Sequence, residues 1–409
     1  MRTALIGGVL IDGSGGPPRR DTTLLIEGTK IVDVSQQRAF GPEVRIVDLG
    51  GRTVMPGLID CHIHFAHWGM NLIAYQSQSL MLLAAETVAA LRTTLEAGCT
   101  TARDLGGLDA GFREAVAKGL IAGPRLHCSL VIVSPTNGIV DATTVQGLPS
   151  PVVPGMPRPE CNGPYGVRAK VREVLRQGAD VIKIATSGGV SSAKLHPKRP
   201  IFTAEEVEAI VDEAHMAGVP VCCHALGGPG VLTAVRAGVD TIEHGGWLDD
   251  VCIEEMVRRR TWYVPTFAVY RWHATLGPQF KQERARAMNP HHIESFRRAL
   301  QAGVRIAMGT DAGGYGYGDN GLEPVLMVEA GMTPAQAIEV STRRSAECMG
   351  IADEVGTLAR GKEADLIVLD ADPLADIGVL REAKHRALVM KGGVAVTGPL
   401  AAGLTAATP

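Results

Sequence analysis

The chain has 409 residues, and its formal net charge of −3 at pH 7 argues against nucleic acid or an anionic membrane surface as a partner. A hydrophobic content of 45% with 20% charged residues is typical of a globular protein, and no stretch reaches the roughly 18 to 20 apolar residues of a membrane span. The eight cysteines are scattered without C-x-x-C spacing, so we expect a reducing compartment, the cytoplasm, and no disulfide framework.

Both ends of the chain carry short strand patterns separated by Gly, Pro and Asp turns. The predicted strands are residues 3–11, 22–27, 30–34 and 44–48 at the start, and 364–369 and 387–391 near the end. Neither end can bury a sheet face alone, so we predict that residues 1–57 and 355–409 combine as one small β-sandwich. Residues 58–354 are left for a second, larger unit.

The segment that enters this larger unit, residues 57–64, is an apolar run that ends in a His-x-His pair. Alternate residues of a strand share a face, so His62 and His64 should point into one cavity, while Cys61 between them points away and serves packing. Imidazole nitrogen is the commonest protein ligand for zinc-like ions. The pair therefore predicts a metal site at the end of a first strand, residues 58–64.

Further strand patterns follow, separated mostly by helix-length segments. They are residues 100–104, 125–133, 181–185, 219–225, 241–244, 262–267 and 305–310. Single polar residues lie within or at the ends of four of them: Lys183, His224, His244 and Asp311. A repeat of strand, loop and helix with its chemistry where strands stop predicts an α/β fold, a (β/α)8 barrel of the TIM type with its active site at the carboxyl ends of the strands.

Two insertions, residues 134–165 and 267–289, interrupt the short connections of this repeat. Long segments at the active face of a barrel are usually pocket walls or lids, so both are predicted to be loops of that kind. A glycine-dense stretch with Tyr315 follows Asp311, and it should be mobile enough to gate a substrate.

Polar residues near these segments receive provisional roles. His67, three residues past His64, is a candidate for the pocket wall. His273 and His292 have polar neighbours and are predicted to be solvated. Arg103 ends the second strand, where it would form hydrogen bonds that support the metal ligands.

The segments around the predicted ligands resemble the amidohydrolase superfamily, in its prolidase-like and imidazolonepropionase-like branch. The resemblance covers nearly the whole chain and rests on six ligand positions in order and on residues 54–60, 241–245, 309–312 and 361–366. It implies two divalent metal ions, with zinc as the expected metal, and assembly into a homo-oligomer. The six implied ligands are His62, His64, Lys183, His224, His244 and Asp311.

In the resembled family the lysine is carbamylated by carbon dioxide, so Lys183 would bridge both ions. His62, His64 and Asp311 would hold the buried ion, and His224 and His244 the exposed one. Two ions about 3.5 to 4 Å apart would activate a bridging hydroxide, while the exposed ion polarises the scissile carbonyl. Asp311 would act as general base and acid, with Lys183 and His244 as further catalytic residues. The expected reaction is hydrolysis of an amide-like C–N bond of a small, rather apolar molecule.

Two places depart from dipeptidases of that branch. Such relatives typically carry Gly-Gly-His-Gly-Asp where this chain reads Asn-Gly-Ile-Val-Asp from Asn137, and His-Ala-Tyr after strand five where it reads His-Ala-Leu. That histidine and tyrosine help to bind a substrate carboxylate, and Ile139 and Leu226 stand in their places. Free dipeptides should therefore be poor substrates unless another residue, for example Arg271 or His273, binds the carboxylate. The candidate pocket residues are His67, Asn137, Ile139, Leu226, Tyr270 and Tyr315.

Several alternatives stay open. A dipeptidase of the Xaa-Pro type or an N-acyl amino acid hydrolase would bind the carboxylate by other residues, and a carbamate or ester hydrolase would use the same ions. A cyclic imide hydrolase or deaminase is a further alternative, although mononuclear members lack a lysine equivalent to Lys183. A non-enzymatic binding protein would not need all six ligands. In each enzyme reading the partner is a small-molecule substrate.

Overall fold

The structure, a computed structural model, describes residues 2–66, 78–149, 155–192 and 195–405. Its strands are β1 Arg2–Leu10, β2 Arg19–Glu27, β3 Lys30–Ser35, β4 Val44–Asp48, β5 Thr53–Pro56, β6 Leu58–Ile63, β7 Cys99–Asp104, β8 Arg125–Cys128, β9 Ile132–Val133, β10 Ile182–Ala185, β11 Val221–Gly227, β12 Thr241–Trp247, β13 Trp262–Val264, β14 Arg305–Ile306, β15 Leu366–Leu369, β16 Arg386–Lys391 and β17 Val394–Thr397.

The α-helices are α1 Leu80–Glu96, α2 Ala110–Ala117, α3 Gly163–Arg176, α4 Ala204–Met216, α5 Pro229–Ala237, α6 Asp250–Arg259, α7 Phe267–His273, α8 Gln279–Gln301, α9 Leu322–Glu329, α10 Pro334–Glu339, α11 Ser345–Cys348 and α12 Ala402–Thr405. A π-helical segment, Val340–Arg344, joins α10 to α11, and 3-10 turns lie at Ile377–Leu380 and Ala383–His385. Within the part of the chain described, no helix combines the length and apolar character that crossing a membrane requires.

Strands from both ends of the chain form one eight-stranded sheet. β5 pairs antiparallel with β15, in a register that places Val54 opposite Val368. The sheet surrounds a core of its own, in which Leu5, Leu24 and Leu366 are almost completely buried. Because only Gly57 separates β5 from β6, this sheet also fixes the start of the first barrel strand.

The barrel consists of parallel strands with helices between them. One ladder runs from β6 through β7 to β8, and another from β9 to β14. Backbone hydrogen bonds join the ladders: Cys61 N donates to Met308 O at 2.8 Å, and Asp180 N donates to Cys128 O at 2.9 Å. The predicted α/β fold of the TIM type is confirmed.

The third barrel strand is interrupted, although residues 125–133 read as one strand in the sequence. Leu130 has a left-handed backbone with φ of 65°, which takes the chain out of the extended conformation. β8 therefore ends at Cys128 and pairs with β7, while β9 pairs with β10. The break places Ile132 of β9 at the mouth of the barrel, where it lines the cavity described below.

The segment after β13 also differs from the prediction. β13 ends at Val264, and helix α7 begins at Phe267, where Glu323 accepts hydrogen bonds from the backbone N–H groups of Phe267 and Ala268, both at 2.8 Å. The predicted loop 267–289 is thus helical, in α7 and the first half of α8.

The other predicted insertion, residues 134–165, has little regular structure before α3 in its described part. A bridge between Ser134 and Glu160 brings its two ends together. Its proline content explains the irregularity, since proline removes a backbone donor and breaks both helix and sheet.

Candidate active site

A cavity of about 190 Å³ lies at the carboxyl ends of the barrel strands. The side chains predicted as ligands all line it, although they are far apart in the sequence: His62, His64, Lys183, His224, His244 and Asp311. Each comes from within a barrel strand or from the residues just after one, and parallel strands deliver such residues to the same end of a barrel.

The His-x-His pair of β6 meets Asp311 in this cavity. His64 Nε2 lies 3.3 Å from Asp311 Oδ1, and His62 Nε2 lies 3.6 Å from the same oxygen. One nitrogen or oxygen from each of the three side chains lies within 4.8 Å of the others. This group of buried side chains could hold a metal ion, and the alternation of β6 explains why both imidazoles reach it.

The ring nitrogens of His62 and His64 that face away from the cavity are held by acceptors. His62 Nδ1 donates to Glu243 Oε2 at 2.7 Å, and His64 Nδ1 donates to the Gly106 carbonyl at 2.9 Å. A carbonyl or carboxylate oxygen only accepts, so both Nδ1 atoms carry the proton. Both Nε2 atoms therefore present a lone pair to the cavity, as metal binding requires.

His224 and His244 are oriented by the same principle. The Thr266 hydroxyl donates to the Pro265 carbonyl at 2.7 Å, so it accepts from His244 Nδ1, also at 2.7 Å. His224 Nε2 donates to the Gly188 carbonyl at 3.1 Å, which leaves its Nδ1 with a free lone pair. The two rings lie 4.4 Å apart between centroids, close enough for their lone pairs to share one ion.

Lys183 is the side chain in this cavity that is hardest to explain without a ligand. It is 1% exposed, and its Nζ has no hydrogen-bond partner within the described part of the chain. Burial lowers the pKa of this amine, although the charge of Glu243 opposes the shift. An unpaired buried ammonium is costly, so the position fits a lysine that is chemically converted into a metal ligand.

The electrostatics of the other ligand candidates suit a cation. Burial lowers the pKa of His62 and His244 well below the usual range, and that of His224 to about 4, so these rings are neutral. Burial also acts on His64, but Asp311 outweighs it and raises the pKa. Asp311 itself would be raised by burial, yet the neighbouring histidines lower its pKa overall. Neutral imidazoles and an ionised carboxylate are the forms that bind metal ions.

The backbone is unusual at three positions around the site. His244, Thr266 and Asp311 have φ values of 77°, 54° and 55°, in the left-handed region that non-glycine residues rarely adopt. Each follows or ends a barrel strand, and the turn directs the next side chains across the cavity mouth. Such strain persists where the surrounding structure enforces it, and it is concentrated at functional sites.

Sequence reasoning missed Glu243, which is completely buried beside the ligands. Besides His62, it accepts a hydrogen bond from the Thr241 hydroxyl, and Arg103 Nη2 lies 3.5 Å from its Oε1. Arg103 Nε also donates to the Cys61 carbonyl at 2.8 Å, so the predicted supporting position of Arg103 matches its contacts. The available signal for Glu243 was a carboxylate inside an apolar strand directly before His244.

Asp60 and Asp104 brace the same strand end and were also missed. Asp104 accepts from Phe65 N at 2.7 Å, which holds the chain just after the His-x-His pair. Asp60 accepts from Thr310 Oγ1 at 2.6 Å and from Asn320 Nδ2 at 2.8 Å, which ties β6 to the segment that carries Asp311. Burial raises the pKa of each carboxyl to about 6.

The predicted pocket residues divide into two groups. Ile139 and Tyr270 line the cavity, whereas Leu226 and Tyr315 are buried behind it and Asn137 is exposed. Leu226 belongs to the hydrophobic core around the barrel, which explains why a residue close to His224 does not reach the cavity.

Two histidines correct the prediction that they are solvated. His273 and His292 are only 2% and 1% exposed. His273 lines the cavity, and the His292 ring packs 4.4 Å from that of Phe267. Both are buried because α7 lies against α8, an arrangement that neighbouring sequence does not reveal. His67 lies outside the described residues.

The remaining cavity wall is mostly apolar and was not predicted. It is formed by Ile132, Val140, Ala185, Val190, Ser191 and Ser192, together with Ile139. These residues come from a short strand and from irregular segments, where no periodic pattern marks a side chain as facing a pocket.

Comparison with known proteins gives consistent matches. Residues 53–396 match the model of the Amidohydrolase family. Ochratoxinase from Aspergillus niger is 33% identical over 428 aligned positions, which cover 97% of this chain and 87% of that protein. Imidazolonepropionase from Salinispora arenicola (strain CNS-205) is 26% identical over 381 positions, which cover 88% of this chain and 89% of that protein.

Solved structures agree with the sequence matches. The crystal structure of a Xaa-Pro dipeptidase with bound methionine in its active site superposes with a TM-score of 0.89 at 34% identity. The superposition covers 97% of this chain and 99% of the dipeptidase, so the likeness includes the terminal sheet as well as the barrel.

Proposed function

This chain belongs to the amidohydrolase family, as a hydrolase that acts on carbon–nitrogen bonds, and we propose that it cleaves the amide bond of a small molecule whose acyl group is apolar. The observation that carries the proposal is the single cavity in which six ligand-type side chains face an apolar wall that includes Ile132, Ile139 and Val190. An apolar acyl group would bury its surface there at roughly 25 cal/mol per Å².

We propose that the cavity holds two divalent ions, with zinc as the preferred metal because imidazole and carboxylate ligands suit it. His62, His64 and Asp311 would hold one ion, His224 and His244 the other, and Lys183 both, as a carbamate. The orphaned Lys183 Nζ supports this assignment, since a carbamate replaces a buried charge that lacks a partner with ligand oxygens. Two bound ions would supply an activated water and polarise the scissile carbonyl.

The protein's own residues then move the proton. Asp311, ionised because its neighbours lower its pKa, accepts a proton from the attacking water and returns it to the leaving nitrogen. His244 is held rigidly by Thr266, and Tyr270 packs edge-on against its ring at 5.6 Å between centroids. These contacts fix the cavity wall on which the amide lies.

A dipeptidase is the second candidate, favoured by the likeness to the Xaa-Pro dipeptidase. A free dipeptide carries an α-ammonium group that needs an acceptor. Among the described residues that line the cavity, Asp311 is the only carboxylate, and it belongs to the proposed ligand set. The chemistry of the wall therefore favours an N-acylated substrate over a free dipeptide.

Location and assembly rest on broader grounds. All eight cysteines are buried and none forms a disulfide, which supports a reducing compartment such as the cytoplasm. We expect a homo-oligomer on the basis of the family resemblance.

A hydrolysis screen tests the proposal. Zinc-loaded protein would be assayed against N-acyl amino acids, free dipeptides, anilides, carbamates and aryl esters. We expect turnover of amides with an apolar acyl group and little turnover of free dipeptides. A clear preference for free dipeptides would establish the dipeptidase alternative instead.

A further inference from the structure

His273 is a polar group in the cavity that the proposed mechanism does not use. Its side chain is 2% exposed, and its Nδ1 is buried without a hydrogen-bond partner among the described residues. The ring lies 6.3 Å from that of Tyr270, which in turn packs against His244. An unsatisfied buried nitrogen costs about 1 to 3 kcal/mol, so this atom is expected to gain a partner when substrate binds.

Lys281 is a second unused polar group near the same wall. It lies on α8 and is 8% exposed, and in the part of the chain described it makes neither an ion pair nor a hydrogen bond. Arg284, one turn further along the same face of α8, donates to the backbone carbonyls of Ser192 and Leu195. Ser192 lines the cavity, so this face of the helix borders the cavity mouth.

The two groups act on each other and on the reaction centre. The charge of Lys281 adds to the effect of burial in lowering the pKa of His273 to about 4. Burial lowers the pKa of Lys281, and the charge of Asp311 partly opposes this. Lys281 and His273 thus share one poorly solvated region beside the site of hydrolysis.

This region lacks an anion. A nearly buried ammonium without a counter-ion is unfavourable, and its attraction to a carboxylate is strengthened where water is excluded. Ile139 offers no donor on the opposite wall, and Arg271 is exposed on the outer face of α7. Lys281 and His273 are therefore the groups placed to receive a negative charge that enters with the substrate.

We propose that Lys281, together with His273, binds a carboxylate of the substrate, which makes N-acyl amino acids the substrate class of this enzyme. The inference rests on the proposed amide hydrolysis and extends it by assigning the charge of the amine part. The acyl group lies against the apolar wall, and the amino acid carboxylate faces α8.

The test compares a matched pair of substrates, N-benzoylphenylalanine and its neutral primary carboxamide. Steady-state kcat/KM would be measured for the wild type, Lys281→Met, Lys281→Arg and His273→Phe. Lys118→Met is the control, because it removes one exposed lysine charge on α2. N-succinylanilide, with its carboxylate on the acyl side, is measured in parallel.

The wild type and Lys118→Met should prefer the free acid over the carboxamide by at least tenfold. Lys281→Met should lose this preference through a higher KM for the acid, with the carboxamide unaffected, and Lys281→Arg should keep it. His273→Phe should weaken the preference in the same direction. No preference in the wild type, equal losses on both substrates in Lys281→Met, or better cleavage of N-succinylanilide than of the free acid would overturn the proposal.

Failure of the proposed function is distinguishable from failure of this site. If neither amide is cleaved by fully metal-loaded protein, amide hydrolysis of this substrate class is wrong. Isothermal titration with N-benzoylphenylalanine then decides the carboxylate site separately. Binding that is lost in Lys281→Met and kept in Lys118→Met supports it, and binding that is absent or unchanged in Lys281→Met contradicts it.

Discussion

At the scale of single residues, each site histidine depends on the partner of its outer ring nitrogen. For His244 that partner is one hydroxyl, Thr266 Oγ1, which can only accept because it already donates to the Pro265 carbonyl. Partners of this kind orient ligands and set their tautomer. The affinity for metal should therefore respond to residues that touch no ion.

Thr266→Val keeps the shape of the side chain and removes the acceptor for His244 Nδ1. We expect metal affinity to fall roughly 10- to 100-fold, the usual cost of losing such a partner. Thr266→Ser keeps the hydroxyl and should bind metal as the wild type does. Competition with a fluorescent zinc chelator measures both.

Thr261→Val provides the matched control. Thr261 is equally buried at 3% exposure, but its hydroxyl has no partner among the described residues. Its replacement should leave metal affinity unchanged. Wild-type affinity in Thr266→Val would show that this hydrogen bond does not orient His244.

Asp311→Asn tests the proton transfer. The amide cannot take up the proton of the attacking water, so kcat should fall by about two to four orders of magnitude. Thermal unfolding and metal content are the controls, since both should stay close to the wild type. Near-normal turnover in this variant would mean that another group is the general base.

The sequence indicated the ligand candidates because residue type, order and strand ends are local features. Glu243 and His273 were not assigned, since their roles depend on what packs around them. Glu243 becomes meaningful only when β12 lies beside the strand of His62, and His273 faces the cavity only because α7 folds back against α8. Neither relation leaves a spacing in the sequence.

At the scale of elements, helix α7 carries Tyr270 and His273 into the cavity, yet it is only seven residues long. Its N-cap residue, Thr266, makes no side-chain capping bond. Glu323 of α9 accepts from the backbone N–H groups of Phe267 and Ala268 instead. A carboxyl group from a distant helix thus stabilises one wall of the site.

Glu323→Ala should destabilise the protein by about 1 to 3 kcal/mol for each N–H group left without an acceptor. It should also raise KM, because Tyr270 and His273 lose their support. Chemical denaturation and steady-state kinetics measure the two effects. Glu329→Ala, at an exposed position of the same helix, should change neither, and a Glu323→Ala variant as stable as Glu329→Ala would contradict the capping role.

The same contacts explain why residues 267–289 were predicted to be a loop. The cap of α7 lies 56 residues from its first N–H group, beyond any local capping pattern. α8 contains Pro290, a residue that ordinarily marks the end of a helix. Leu130, which interrupts the third strand, is equally invisible, because leucine rarely adopts a positive φ.

At the scale of the whole molecule, the order of strands and polar residues was enough to predict the fold class. The division into a terminal unit, residues 1–57 and 355–409, and a barrel, residues 58–354, remains our proposal. The pairing of β5 with β15 supports it, since the two ends of the chain complete one sheet. The terminal segments should therefore stabilise each other and the first barrel strand.

Leu366→Ala tests this mutual dependence. Leu366 is fully buried in the core of the terminal sheet and lies opposite Pro56. The cavity left by the change should cost about 2 to 5 kcal/mol of unfolding free energy. Val394→Ala, at a side chain 67% exposed in the same sheet, should cost less than about 0.5 kcal/mol. Equal stabilities in a urea titration would show that this core contributes little.

The most direct test of the binuclear site is the metal content of the protein, prepared without chelator in metal-supplemented, bicarbonate-containing buffer. Elemental analysis should find about two divalent ions per chain, because the ligand set is too large for one tetrahedral ion. Lys183→Ala should retain at most one, since it removes the ligand shared by both. A wild-type content that stays at one ion, or a Lys183→Ala variant that keeps two, would contradict the account.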